Sequence, residues 1–135
     1  MATNTRPEKR THPTIRPRLA VTDAAAALRW YQQVLGAEEL ARYTDGDRVV
    51  HAELTLGGAV WTLKDADDVD PAPAASDGSP VLLMLAVEDV DAVAGRMAAE
   101  GAVVIFPVDD HGYGRMGRLR DPFGHVWMLT GAGPP

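Results

Sequence analysis

In the stretch "RVVHAELTL", His51 and Glu53 stand two residues apart, the spacing that puts both side chains on one face of a β-strand. An imidazole beside a carboxylate can be an acid–base pair or half of a divalent-metal site, although one His and one Glu fall short of the usual three protein ligands. A hydrogen-bonded polar wall is the third reading. In "DPFGHVWML", His125 follows a Pro-Phe-Gly turn and shares parity with Trp127 and Leu129, so it is expected to open a strand. Arg118 and Arg120 alternate within "RMGRLR" and are either solvated charges or a carboxylate site. The glycines of "HGYGRMG" suit a loop, but the chain has no phosphate-cradling G-x-x-x-x-G-K-[ST] pattern and no Ser nucleophile elbow. With no cysteine, thiolate chemistry and disulfides are excluded.

Composition narrows the classes further. A chain of 135 residues has room for one domain or two small modules sharing a core, and 46% hydrophobic with 24% charged residues suits a soluble protein that buries one. A formal net charge of -6 without a Lys/Arg cluster argues against a nucleic-acid partner. The absence of an 18-residue apolar run, or of a hydrophobic signal core in the first 14 residues, predicts no membrane partner and a cytoplasmic location.

The elements that must position these side chains come as a repeat. "AVTD" at residue 20 and "AVED" at residue 86 lie 66 residues apart, as do Gly58 and Gly124, Val60 and Val126, Trp61 and Trp127, and Leu63 and Leu129. Each copy reads strand, helix, three strands. "TIRPRLAV" and "PVLLMLAV" open them, and Asp23 and Asp89 cap helices that end at Gly36 and Gly101. Shorter strands follow in "EELARYT", "RVVHAELTL" and "AVWTLK", and again in "AVVIFPV", "RMGRLR" and "HVWMLT". The expected fold is α+β, two βαβββ modules that pack against each other because neither closes a core alone. The expected boundaries are an arm at 1–14, a first module at 15–65, an acidic Pro/Ala-rich linker at 66–79, a second module at 80–130 and a tail at 131–135.

These paired modules, with "LRWYQQVLGAE" and "YGRMGRLRDPFGHVWML", resemble the vicinal oxygen chelate superfamily of glyoxalases, bleomycin-resistance proteins and dioxygenases, close to its PhnB-like and bleomycin-resistance-like branches. The resemblance covers about residues 14–130 and implies curved sheets around a cup. It also implies four metal-ligand positions, which fall here on Arg16, Thr62, Leu82 and Met128. None of these suits the hard divalent ions of oxygen-chelate chemistry.

Strand alternation assigns the faces. Ile15, Leu19 and Val21, with Val50, Ala52, Leu54 and Leu56, are expected under the helix, leaving Arg16, Arg18, His51, Glu53 and Thr55 toward the cup. In the second module Leu119 faces the core, while Leu82, Met84, Met116, Arg118, Arg120, Val126, Met128 and Thr130 face the cup. Trp30, Tyr31, Trp61 and Trp127 fall on the helix side, which favours core packing over ligand stacking. The expected function is metal-free binding and sequestration of a small drug-like or metabolite molecule, in the manner of antibiotic resistance. The expected ligand contacts are Arg16, Arg18, His51, Glu53, Leu82, Met84, Met116, Arg118 and Met128, with no cofactor and a homodimer as the assembly. The rival is a lyase, isomerase or dioxygenase of the same fold, using His51 and Glu53 with or without Zn, Fe, Mn or Ni.

Overall fold

The computed structural model describes residues 13–74, 79–112 and 114–131. Most of the expected N-terminal arm, part of the linker and nearly all of the tail lie outside the described residues. The chain divides into two compact units, Met1–Ala72 and Pro73–Pro135.

The first unit runs β1 (Arg18–Val21), α1 (Ala24–Leu35), β2 (Glu38–Asp45), β3 (Arg48–Leu56) and β4 (Ala59–Asp65). The second runs β5 (Leu83–Val87), α2 (Val90–Ala99), β6 (Val103–His111), β7 (Gly114–Arg120) and β8 (Val126–Gly131). Each is an α+β unit with a four-stranded sheet, in the orders β1-β4-β3-β2 and β5-β8-β7-β6. The opening strand of each pairs parallel with the closing strand, and the other pairs are antiparallel.

Caps fix the helices. Asp23 accepts the Ala26 N–H at 3.0 Å, Asp65 accepts the Ala24 N–H at 2.8 Å, and Asp89 accepts the Ala92 N–H at 3.0 Å. Each such cap is worth about 1 kcal/mol because it satisfies a donor the helix cannot. α1 stops at Gly36, which is left-handed at φ 81°, and the Ala37 N–H reaches back to the Tyr31 carbonyl. α2 is capped one residue earlier than expected, at Glu100.

The core of the first unit sits between α1 and its sheet. Tyr31 stands edge-on to Trp61 at 4.7 Å between ring centroids and to Trp30 at 5.5 Å, among buried Leu28, Leu54 and Leu63. In the second unit Met97, Leu119 and Leu129 are buried in the same way, and Trp127 is buried too. All four ring side chains assigned to the core are buried.

Three expectations need correction. Both opening strands start later, at Arg18 and Leu83, so Arg16 and Leu82 precede them. Pro17 has no N–H to extend the first ladder, and its carbonyl already takes the Thr62 N–H at 2.8 Å; Ile15, upstream of it, is 97% exposed. The Leu83↔Trp127 pair lies one residue from the start of β8, so Leu82 is nearly out of partner strand. Val50 is 41% exposed because β2 and β3 slip register between Tyr43↔His51 and Thr44↔Val49, a bulge that buries Val49 in its place. Finally, β8 begins at Val126, so His125 closes the preceding loop.

Candidate functional site

The two sheets carry one row of side chains in two versions. Across the first sheet the register aligns Arg18, Thr62, Glu53 and Ala41; across the second it aligns Met84, Met128, Arg118 and Phe106. Arg18 and Met84, and likewise Thr62 and Met128, are 66 residues apart. The same backbone thus presents a polar row in one unit and a methionine, arginine and phenylalanine row in the other.

On the first sheet the polar groups satisfy one another. Arg18 Nη1 lies 2.7 Å from His51 Nδ1, Arg18 Nη2 donates to the Val50 carbonyl at 3.0 Å, and His51 Nε2 lies 3.1 Å from Glu53 Oε2. The bulge at Val50 supplies that carbonyl. Tyr43 flanks the imidazole at 5.9 Å between centroids. Arg18, His51 and Glu53, expected on one face, are therefore brought together, with both ring nitrogens engaged. Arg16 is exposed and lies ahead of the strand.

On the second sheet the cation is left over. Arg118 lies over the Phe106 ring, with its guanidinium carbon 5.1 Å from the centroid, and its buried Nε has no hydrogen-bond partner among the described residues. Its neighbour Arg115 is instead held by Asp91 at 2.6 and 2.9 Å and by Asp110 at 2.9 Å, which raises its pKa and lowers that of Asp91. Arg120 donates to the Gly124 carbonyl at 2.9 Å. Arg118 opens onto a pocket of about 350 Å³ lined by Phe106, Pro107, Asp109, His111 and Met116. Met128 is its half-buried cross-strand neighbour, and Met84, beyond Met128, is 68% exposed. Val126, expected in the same apolar wall, is buried and offers no surface. Leu82 is half-buried ahead of β5.

The four family metal positions do not fit a divalent ion. The Thr62 hydroxyl donates to the Pro17 carbonyl at 3.2 Å, Arg16 and Leu82 lie outside the strands, and the set contains neither imidazole nor carboxylate. Among the described residues no group of three or more His, Asp or Glu side chains converges on a point.

Sequence reasoning missed Asp121. The residue is 3% exposed, and its carboxylate accepts the N–H of Phe123 at 2.9 Å, the N–H of His125 at 3.0 Å and the indole Nε1–H of Trp127 at 2.8 Å. The "DPFGHVW" stretch is therefore a structural lock that aims β8. An Asp followed by Pro and Gly was the available signal, since such residues fold the backbone onto their own carboxylate.

The comparisons with known proteins agree with this architecture. The model of the Glyoxalase/Bleomycin resistance protein/Dioxygenase superfamily matches residues 11–129. Uncharacterized protein Rv0887c of Mycobacterium tuberculosis is 37% identical over 126 residues, covering 87% of this chain and 73% of that protein. The crystal structure of TioX from Micromonospora sp. ML1 superposes with a TM-score of 0.68 at 27% identity, over 91% of this chain and 98% of that one. Fosfomycin resistance protein FosX from Mesorhizobium loti superposes with a TM-score of 0.68 over 93% of this chain and 94% of its own, at 16% identity, which speaks for the fold alone. No helix among the described residues is long and apolar enough to cross a membrane.

Proposed function

Because the chain belongs to the glyoxalase/bleomycin resistance protein/dioxygenase superfamily, whose shared fold does not by itself choose a chemistry, we propose that it binds and sequesters a small organic molecule without a metal. The carrying observation is Arg118, which lines the 350 Å³ pocket and whose buried Nε has no hydrogen-bond partner among the described residues. A ligand carboxylate that reaches this guanidinium gains a charge-assisted hydrogen bond, worth about 1.5–3 kcal/mol. Phe106, Met116 and Met128 supply apolar contact around it, and methionine adapts its shape to a guest. FosX, named as a fosfomycin resistance protein, gives a resistance role a precedent on this fold and no more. A cytoplasmic homodimer is part of the same proposal.

Native mass spectrometry of freshly purified protein tests it: a retained organic mass and a dimer are expected, and stoichiometric Zn, Fe, Mn or Ni would overturn it. In titrations with 2-naphthoate, a fluorescent carboxylate of suitable size, Arg118→Ala should weaken binding by about 1.5–3 kcal/mol, the size of a charge-assisted hydrogen bond.

The enzyme reading keeps one specific support, the 3.1 Å contact of His51 with Glu53, in which a carboxylate orients an imidazole. For His51 to accept a proton at Nδ1, Arg18 must first leave it. Turnover abolished by His51→Gln would favour that reading.

A further inference from the structure

Phe106 and Pro107 line two recesses. One is the pocket over Arg118; the other, of about 190 Å³, lies on the helix side of the same strand, among Ala94, Gly95 and Ala98 of α2 and Val104, Val108 and Leu119 of the sheet. β6 is the outermost strand of its sheet, and its two register irregularities, between Val104 and Phe106 and between Phe106 and Asp109, bracket the Phe106–Pro107 pair. Pro107 also brings no N–H to the ladder. The wall between the recesses is thus two residues of a bowed sheet edge.

Gly95 is the informative residue in the second recess. It is not among the glycines with positive φ, so its backbone does not demand glycine. Among the described residues nothing outside its own helical turn lies within 4 Å of where its Cβ would stand, so no close approach demands it either. Gly117 differs, since a Cβ there would meet Val108 Cγ2 at 2.7 Å. A glycine inside a helix weakens it relative to alanine. What Gly95 contributes in return is room, and that room belongs to the recess. Every lining side chain there is apolar, and its 190 Å³ exceeds the cavity of about 150 Å³ that admits a benzene ring.

We propose that the ligand is an amphiphilic monocarboxylate: its carboxylate rests on Arg118, and its unbranched apolar chain turns over the Phe106–Pro107 edge into the recess beside α2. This rests on the assignment of Arg118 as the ligand anchor. Asp109, the acid of the first pocket, does not occupy the guanidinium; its register partner is Met116, two residues from Arg118, and its Oδ1 accepts the Asp110 N–H at 2.8 Å.

Calorimetric titration of the full chain with butanoate, hexanoate, octanoate and decanoate, and with decan-1-ol, tests it. Affinity should rise roughly fourfold per methylene once the chain passes Phe106, the increment for one buried CH₂, and decan-1-ol should bind at least tenfold more weakly than decanoate. Gly95→Leu should raise Tm while flattening the chain-length series, and Ala98→Leu should flatten it independently. A series already flat in the unaltered protein, or one that keeps its slope in both variants, overturns the proposal. If Arg118→Ala leaves 2-naphthoate binding untouched, the anchor itself is wrong. If 2-naphthoate depends on Arg118 but chain length has no effect, only the recess assignment falls.

Discussion

Arg18 and His51 meet at 2.7 Å between Nη1 and Nδ1 across two strands that are not neighbours in the sheet. A guanidinium only donates, so Nδ1 must present its lone pair, and the ring proton sits on Nε2, facing Glu53 at 3.1 Å. In the second unit Met84 stands where Arg18 does, and Arg118 takes the place of Glu53 in the row. One sheet thus carries a closed polar chain, and the other a cation whose Nε has no hydrogen-bond partner among the described residues.

Replacing Arg18 with Met should therefore release the tautomer of His51 without harming the fold. Arg18 is exposed, and substitutions at such positions usually change stability by less than about 0.5 kcal/mol. Long-range ¹⁵N–¹H spectra of the imidazole should show the Nε2–H form in the parent and a mixture in Arg18→Met. An unchanged Nε2–H pattern would mean that Glu53 alone holds the ring.

Asp121→Ala should be among the most damaging single changes in the second unit. It strands three donors at once, the N–H groups of Phe123 and His125 and the indole of Trp127, at a cost of about 3 kcal/mol or more. Asp121→Asn keeps one oxygen and should cost about half as much. Urea unfolding followed by tryptophan fluorescence measures both, and equal stabilities for the two variants would contradict the accounting.

The order of elements was legible because it rests on local rules. Asp23 and Asp89 cap as their position before an apolar run requires, and alternation correctly put Leu19, Leu54 and Leu119 in the core. What alternation could not see was a change of register. The bulge exposing Val50 depends on how β2 is paired, which no period within β3 encodes. For the candidate site, the sequence carries which residues share a face more than how they are wired. His51 and Glu53 share a face by spacing, but the Arg18 contact spans 33 residues and needs the assembled sheet. That Arg118 Nε has no hydrogen-bond partner among the described residues, while Arg115 and Arg120 have theirs, likewise emerges only from the assembled sheet.

Acid titration should single out Asp67. The ammonium of Lys64, 2.8 Å away, and the N–H groups of Asp70 and Val69 hold its carboxyl down at about 2. Since the folded value lies below the unfolded one near 3.9, this carboxylate stabilises the fold fully above about pH 4 and loses that contribution as pH falls through about 2. Lys64, raised by Asp67 and Asp70, works in the opposite sense: its contribution is complete below 10.5 and disappears as pH climbs through its higher folded value. Carbon-detected NMR should find the Asp67 midpoint near 2, moving up in Lys64→Met yet stopping short of the ordinary value because the two amides remain. A midpoint unmoved by Lys64→Met would refute the assignment of the leading cause.

Met128→Glu should close the second row as Glu53 helps close the first. Met128 is the direct cross-strand partner of Arg118, so a carboxylate there lies within reach of the guanidinium, whose Nε has no hydrogen-bond partner among the described residues. Opposite charges placed across an antiparallel pair gain roughly 0.2–1 kcal/mol, enough to offset part of the apolar packing that the thioether supplied, and Tm should move by only a few degrees. Binding should respond far more. The new carboxylate competes for Arg118 at an effective concentration no free ligand reaches, so 2-naphthoate affinity should drop at least tenfold, and Met128→Gln, similar in size but uncharged, should lose much less. If Met128→Glu binds 2-naphthoate as the parent does, the ligand does not use Arg118, and the contrast between the two rows has no bearing on function.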